Sequence, residues 1–143
     1  MVEWIALAVG VLSVVGTYRA SERKHKLERQ ELLLDAYAEF LASAGAYYLA
    51  HAALVEERAD PSSADDLAAA VRDRTAAYVR LDAALQAVVL RERDHEELAE
   101  QARDFVRALV KGELDDERYD SRSTALSQSV RETHWSEHKM LGP

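Results

Sequence analysis

The sequence contains no cysteine, which excludes disulfide bonds, thiolate metal sites and cysteine nucleophiles. It has only five glycines and two prolines in 143 residues, so it offers few of the turn residues that a β-rich fold needs. The motifs G-x-S-x-G, P-loop and G-x-G-x-x-G are absent as well. We therefore expect an all-α protein that is not an enzyme and needs no cofactor.

Positive charge is also scarce, since the net charge at pH 7 is −8. Affinity for nucleic acid depends largely on neutralising phosphates, so an acidic protein of this kind is not expected to bind it. One short segment, residues 19–30, reverses the balance. Its five basic residues are Arg19, Arg23, Lys24, Lys26 and Arg29.

An uncharged run extends from Trp4 to Tyr18, directly before the basic segment. Because the positive charges follow the run, a secretory signal peptide is not expected. The run is short for a membrane span, but its apolar residues occupy all sides of the helix. Aromatic residues, Trp4 and Tyr18, lie at its two ends. These features predict a transmembrane anchor over residues 1–18, the alternative being a buried helix. The positive-inside rule then predicts a location in the inner (plasma) membrane, with the N-terminus outside and the remainder in the cytoplasm.

Small residues form a stripe along the predicted anchor, at steps of four, three and four: Ala6, Gly10, Ser13 and Thr17. Such a stripe lets transmembrane helices approach each other closely, through self-association or packing on a protein partner. The simpler interpretation is that small residues are common in any anchor. The basic segment next to the anchor is expected to set its orientation and to contact anionic lipid.

Hydrophobic periodicity predicts four helices, at about 20–58, 64–91, 95–111 and 117–138. The first of them carries two neighbouring heptad rows of mostly apolar residues: Leu33, Tyr37, Phe40, Ala44, Tyr47, His51 and Leu54 in one row, and Leu27, Leu34, Leu41, Tyr48 and Val55 in the other. Two adjacent rows favour an antiparallel helical bundle over residues 31–143 that follows directly from the transmembrane helix. A coiled-coil oligomer is the alternative.

Helix boundaries are predicted from capping residues. Ser62 or Ser63, followed by Asp66, indicates the start of the second helix. A capping box of Asp94 and Glu97 indicates the start of the third. The later helices carry their own apolar rows: Leu67, Val71, Tyr78, Leu81, Leu85 and Val88 (with Arg74 expected at the bundle edge), then Leu98, Ala102, Phe105 and Leu109 before a C-terminal Gly112, then Leu126 and Val130.

Histidines are the conspicuous candidates for metal ligands. His134 and His138 lie four positions apart and could share a helix face, but the zincin pattern requires a glutamate where Trp135 stands. At the end of the chain, these two side chains are expected to be solvated. His51, in an apolar row, is expected to be a hydrogen-bonded core residue.

Two Glu-x-x-His pairs have the spacing found in carboxylate-bridged di-metal bundles: Glu92 with His95, and Glu22 with His25. The first pair straddles a predicted helix boundary, and the second lies in the basic segment. Neither apolar row contains a glutamate that could complete such a site. The sequence alone therefore predicts no metal site.

The stretch "LLLDAYAEFLASA", which follows the anchor and the charged segment, resembles small single-pass membrane proteins of high-GC actinobacteria. The resemblance covers roughly the first 55 residues and implies a membrane location without catalytic residues to transfer. We expect a membrane-anchored cytoplasmic bundle that acts as a protein-interaction or regulatory module, with membrane lipid and a protein partner or a second copy as its contacts. The alternative is a soluble α-helical bundle whose N-terminal helix is buried in an oligomer or in a ligand-binding core.

Overall fold

The computed structural model describes the backbone of residues 2–140 and the side chains of residues 17–134. Over this range all regular structure is helical, which confirms the all-α prediction. The four helices are α1 (Val2–Ala59), α2 (Ala64–Arg91), α3 (Glu96–Val110) and α4 (Asp116–Met140).

The chain divides into two compact units, residues 1–34 and residues 35–143. In the first unit, the five predicted basic residues are all solvent-exposed on α1. Among the residues that the structure describes, no helix combines the length and apolarity needed to cross a membrane. The described part thus gives the predicted anchor no support. Most of residues 1–18, including Ala6, Gly10 and Ser13, lie outside the described side chains, and Thr17 is exposed.

Local hydrogen bonds explain where α2 and α3 begin. Ser63 is the N-cap of α2, as predicted, and its hydroxyl accepts a bond of 3.0 Å from the Asp66 amide. The capping box predicted from Asp94 and Glu97 is wrong. His95 is the N-cap of α3, and no side chain caps this end.

One predicted heptad row of α1 forms its buried face. The buried members are Leu33, Tyr37, Phe40, Ala44, Tyr47 and Leu54. The second row is more open, because Leu27, Leu34 and Val55 are exposed and Leu41 and Tyr48 are half-buried. To bury the second row as well, another helix would have to pack against that side of α1.

The other helices of the second unit contribute their predicted apolar rows to the core. Phe40 of α1 and Phe105 of α3 meet edge to face, with ring centroids 6.2 Å apart. The buried residues of the later helices include Leu81, Leu85 and Val88 of α2, Leu98, Ala102, Phe105 and Leu109 of α3, and Leu126 and Val130 of α4. The first half of the α2 row is more open, and Val71 and Tyr78 are exposed.

Contacts between α1 and α2 within the second unit give their relative direction. The Tyr47 hydroxyl accepts a bond of 3.1 Å from Nη2 of Arg74, so Arg74 is paired with a core tyrosine. Ten residues earlier in α1, Tyr37 lies close to the carboxylate of Glu92, at the end of α2. Position rises along α1 while it falls along α2, so these two helices are antiparallel as predicted.

Candidate metal centre

Glu92, His95 and His134 meet at one end of the bundle. Glu92 is the C-cap of α2, His95 is the N-cap of α3, and His134 lies on α4. Nε2 of His134 is 2.7 Å from Oε1 of Glu92, and Nδ1 of His95 is 3.3 Å from Oε2 of the same carboxylate. One nitrogen or oxygen from each residue lies within 4.8 Å of the other two. We call this set of three residues the Glu–His–His cluster.

The short connection between α2 and α3 positions two of the three side chains. The Glu92 amide donates a bond of 2.9 Å to the Val88 carbonyl, which closes the last turn of α2. The His95 carbonyl accepts bonds from the amides of Leu98 and Ala99, which opens α3. Because both ends of the connection are tied to helices, Glu92 and His95 are held on the same turn.

His134 reaches the cluster because it continues the buried face of α4. It follows Val130 by four positions and Leu126 by eight, and all three side chains are buried. The prediction of a solvated His134 is therefore wrong. His138, its predicted partner, lies outside the described side chains.

The carboxylate of Glu92 is buried, with 1% of its side chain exposed, and its surroundings favour the ionised form. Burial raises its pKa, but the hydrogen bond from His134, the nearby Tyr37 hydroxyl and the charges of the two histidines outweigh burial and hold the pKa below the ordinary value. An ionised carboxylate can only accept, so Nε2 of His134 donates in the 2.7 Å bond. The cluster is thus a buried anionic group with two imidazole neighbours.

Tyr37 brings α1 to the same place. Tyr37 is 3% exposed, and its buried hydroxyl lies beside the Glu92 carboxylate without reaching full hydrogen-bonding geometry with it or with any other described residue. Burial and the adjacent negative charge of Glu92 raise the pKa of this hydroxyl, so it stays protonated. A buried hydroxyl without a partner is costly, which marks this position as one that a ligand or a water would satisfy.

An acidic cleft of about 450 Å³ lies beside the cluster, between the start of α3 and α4. His95 lines it, with 26% of its side chain exposed. The charged residues of the lining are all carboxylates: Asp94, Glu96, Glu97 and Glu132. The cleft therefore attracts cations toward His95 and disfavours anions.

No family model, curated protein or solved structure matches this chain.

The Glu–His–His cluster fits a divalent transition metal. Imidazole nitrogens and a carboxylate oxygen are common ligands of zinc, and two histidines with one carboxylate also form the facial triad of ferrous sites. Tetrahedral zinc with bonds of about 2.0–2.2 Å places its ligand atoms about 3.3 Å apart. The 3.3 Å from Nδ1 of His95 to Oε2 of Glu92 matches this spacing. Nε2 of His134 lies 2.7 Å from the other oxygen, Oε1, in a hydrogen bond whose proton a metal would displace. One ligand atom from each of the three residues lies within 4.8 Å of the other two, which is looser than the spacing around a bound zinc.

The other histidines considered from the sequence are placed differently. His25 is exposed, and its Nδ1 lies 3.5 Å from Glu28, so the Glu22 pair does not form a site among the described residues. His51 is half-buried, and its buried Nδ1 has no partner in the described part of the chain, which corrects the prediction of a hydrogen-bonded core histidine. Burial first, and then the charges of Arg74 and Arg58, lower the pKa of His51.

The sequence pattern indicates two of the three members of the cluster, Glu92 and His95. The Glu92-x-x-His95 spacing is present in the sequence, but a predicted helix boundary separates its two members. His134 is 42 positions from Glu92, and no local pattern links them. The sequence signal for its burial is the spacing of four between Leu126, Val130 and His134, which places all three side chains on the buried face of α4.

Proposed function

We propose that this protein binds one divalent transition metal, with zinc as the reference ion, through Glu92, His95 and His134. The observation that supports it most strongly is the convergence of a buried carboxylate and two imidazoles within 4.8 Å. A buried anion is expensive unless a positive charge compensates it, and a metal ion supplies that charge more fully than two imidazoles do. The metal would join the end of α2 and the start of α3 to α4.

The acidic cleft supports the same proposal, because it gives a cation a route to the cluster. Four carboxylates surround the approach to His95. Negative charge around a cleft raises the local concentration of cations and speeds their association, more so at low ionic strength.

The test is the affinity of the full-length chain for zinc after treatment with a chelator, measured by competition with a chromophoric chelator. We expect one zinc per chain in the wild type. His95→Ala is expected to weaken binding by more than about 100-fold, because even changes behind the direct ligands commonly cost 10–100-fold. His95 is partly exposed, so this variant leaves the core intact.

His25→Ala is the matched control, since it removes an exposed histidine from the other Glu-x-x-His pair. It should bind zinc as the wild type does. Repeating the titration with Co²⁺ and, without oxygen, with Fe²⁺ identifies the preferred ion. Binding of none of the three ions, or equal binding by wild type and His95→Ala, would show that the cluster is a hydrogen-bonded structural contact only.

A second candidate function, a membrane-anchored interaction or regulatory module, is supported by the N-terminal sequence. An uncharged run precedes five basic residues that are exposed on α1, and exposed basic residues beside an apolar run suit contact with anionic lipid. The resemblance to single-pass proteins of actinobacteria agrees with this proposal. Its partners would be lipid and either a protein or a second copy, with the bundle in the cytoplasm.

Fractionation of cells that express the full-length chain tests this second candidate. We expect the protein in the membrane fraction, released by detergent but not by high salt, because an apolar helix is held by burial in lipid rather than by charge. A variant that lacks residues 1–18 should move to the soluble fraction and keep its helical circular dichroism. Recovery of the full chain without detergent, as a defined oligomer, would instead support a soluble bundle with a buried N-terminal helix.

A further inference from the structure

We propose that a metal held by the Glu–His–His cluster keeps one exchangeable water as a further ligand, and that the Tyr37 hydroxyl holds this water in place. The inference rests on the proposed metal function. It adds that the metal has an open coordination position, unlike a structural ion whose ligands all come from the protein. It makes Tyr37 a positioning residue of the site.

The number of protein ligands leaves room for the water. The three residues of the cluster offer one ligand atom each, whereas zinc prefers four ligands. Structural zinc sites are closed by four protein ligands, and three protein ligands with one water characterise open sites. Among the described residues, the cluster contains no fourth histidine or acidic residue that could close it.

The Tyr37 hydroxyl supplies the second, independent observation. It lies close enough to the Glu92 carboxylate for each group to shift the pKa of the other, yet it does not reach full hydrogen-bonding geometry with that carboxylate or with any other described atom. Both oxygens of Glu92 are already in contact with histidine nitrogens, Oε1 with His134 and Oε2 with His95. Buried waters are found where otherwise unsatisfied polar groups converge, and a water on the metal would accept the Tyr37 proton.

Solvent can reach the metal past His95. This histidine is the member of the cluster that lines the acidic cleft, while Glu92 and His134 are buried behind it. The carboxylates of the cleft disfavour an anion as the incoming ligand. The ligand class that suits the open position is therefore a neutral oxygen or nitrogen donor, with water as the resident and imidazole as a probe.

The test uses the full-length protein loaded with Co²⁺. In water enriched in ¹⁷O, we expect the Co²⁺ electron paramagnetic resonance lines to broaden, because an oxygen nucleus is bound directly to the metal. Imidazole, added stepwise, should replace this water and change the visible absorption of Co²⁺. Tyr37→Phe should bind Co²⁺ nearly as well as the wild type but exchange water for imidazole at about a fivefold lower concentration, since one hydrogen bond to the water is lost.

Tyr47→Phe is the matched control, because it removes another buried hydroxyl that bonds to Arg74 away from the cluster. Its imidazole titration should match that of the wild type. Co²⁺ binding without ¹⁷O broadening, or equal imidazole midpoints for wild type and Tyr37→Phe, would overturn the role of Tyr37 while leaving the metal function intact. Failure of the wild type to bind Co²⁺, Zn²⁺ or Fe²⁺ would remove both. If Tyr37→Phe does not fold, the ¹⁷O result on the wild type decides whether the water is present.

Discussion

Replacing Glu92 with alanine is expected to lower the free energy of unfolding by about 3 kcal/mol in the absence of metal. The carboxylate is buried and accepts a bond of 2.7 Å from His134, with His95 on its other oxygen. Removing it leaves the nitrogens of His134 and His95 without their acceptor beside an unfilled space, and unsatisfied buried polar groups are costly. Urea denaturation followed by circular dichroism, with a chelator present at pH 7, measures the loss.

Glu39→Ala is the matched control for this prediction, because Glu39 is an exposed glutamate in the middle of α1. Its effect should stay within about 0.5 kcal/mol of the wild type. If Glu92→Ala has the same free energy of unfolding as Glu39→Ala, the stabilisation of the Glu92 carboxylate by its neighbours does not exceed the cost of burying it.

The contribution of Glu92 should also depend on pH in a defined direction. Its pKa in the folded state lies below the ordinary value of 4.5, so folding favours its ionised form. The stabilisation is fully present above pH 4.5 and is lost as the pH falls through the folded-state pKa. The difference in stability between wild type and Glu92→Gln should therefore narrow below pH 4.5, and a difference that widened there would contradict the assignment.

Replacing Phe40 with alanine is the second large prediction, with an expected loss of about 3–5 kcal/mol. Phe40 is fully buried on α1 and meets Phe105 of α3 edge to face. Truncation removes apolar burial, leaves a cavity between two helices and breaks the aromatic pair. The expected decrease in melting temperature is about 10 °C for a chain of this size.

Two further variants serve as references for the size of this effect. Phe40→Leu keeps much of the volume and should cost about 1–2 kcal/mol. Leu49→Ala truncates a side chain on the same helix that is 69% exposed, and it should be nearly neutral. Equal melting temperatures for Phe40→Ala and Leu49→Ala would show that the Phe40 contact does not hold α1 to α3.

The helices and one face of the core could be predicted from the sequence because their signals are local. Heptad spacing identifies the buried row from Leu33 to Leu54, and Ser63 caps α2 where its spacing to Asp66 predicts. The second row of α1 has the same spacing, but Leu27 and Val55 are exposed. Periodicity shows which residues share a face, and only the packing of the other helices shows whether that face is covered.

The candidate site was harder to predict because its parts come from separate places in the chain. Glu92 and His95 lie at helix ends, where a pattern based on a continuous helix face does not apply. Trp135 stands where the zincin pattern requires a glutamate, so His134 does not belong to a recognisable metal-binding motif. The burial of His134 follows from the tertiary position of α4, which Leu126 and Val130 set by packing into the core.

The position of the cluster, where the end of α2 and the start of α3 meet α4, has a consequence for folding kinetics. Glu92 and His134 are 42 residues apart, so their bond closes a long loop and carries the entropy cost of that closure. We expect the bond to form after the transition state, where a contact slows unfolding more than it speeds folding. We therefore expect the cluster, with or without a metal, to set how long the folded chain persists rather than how quickly it forms.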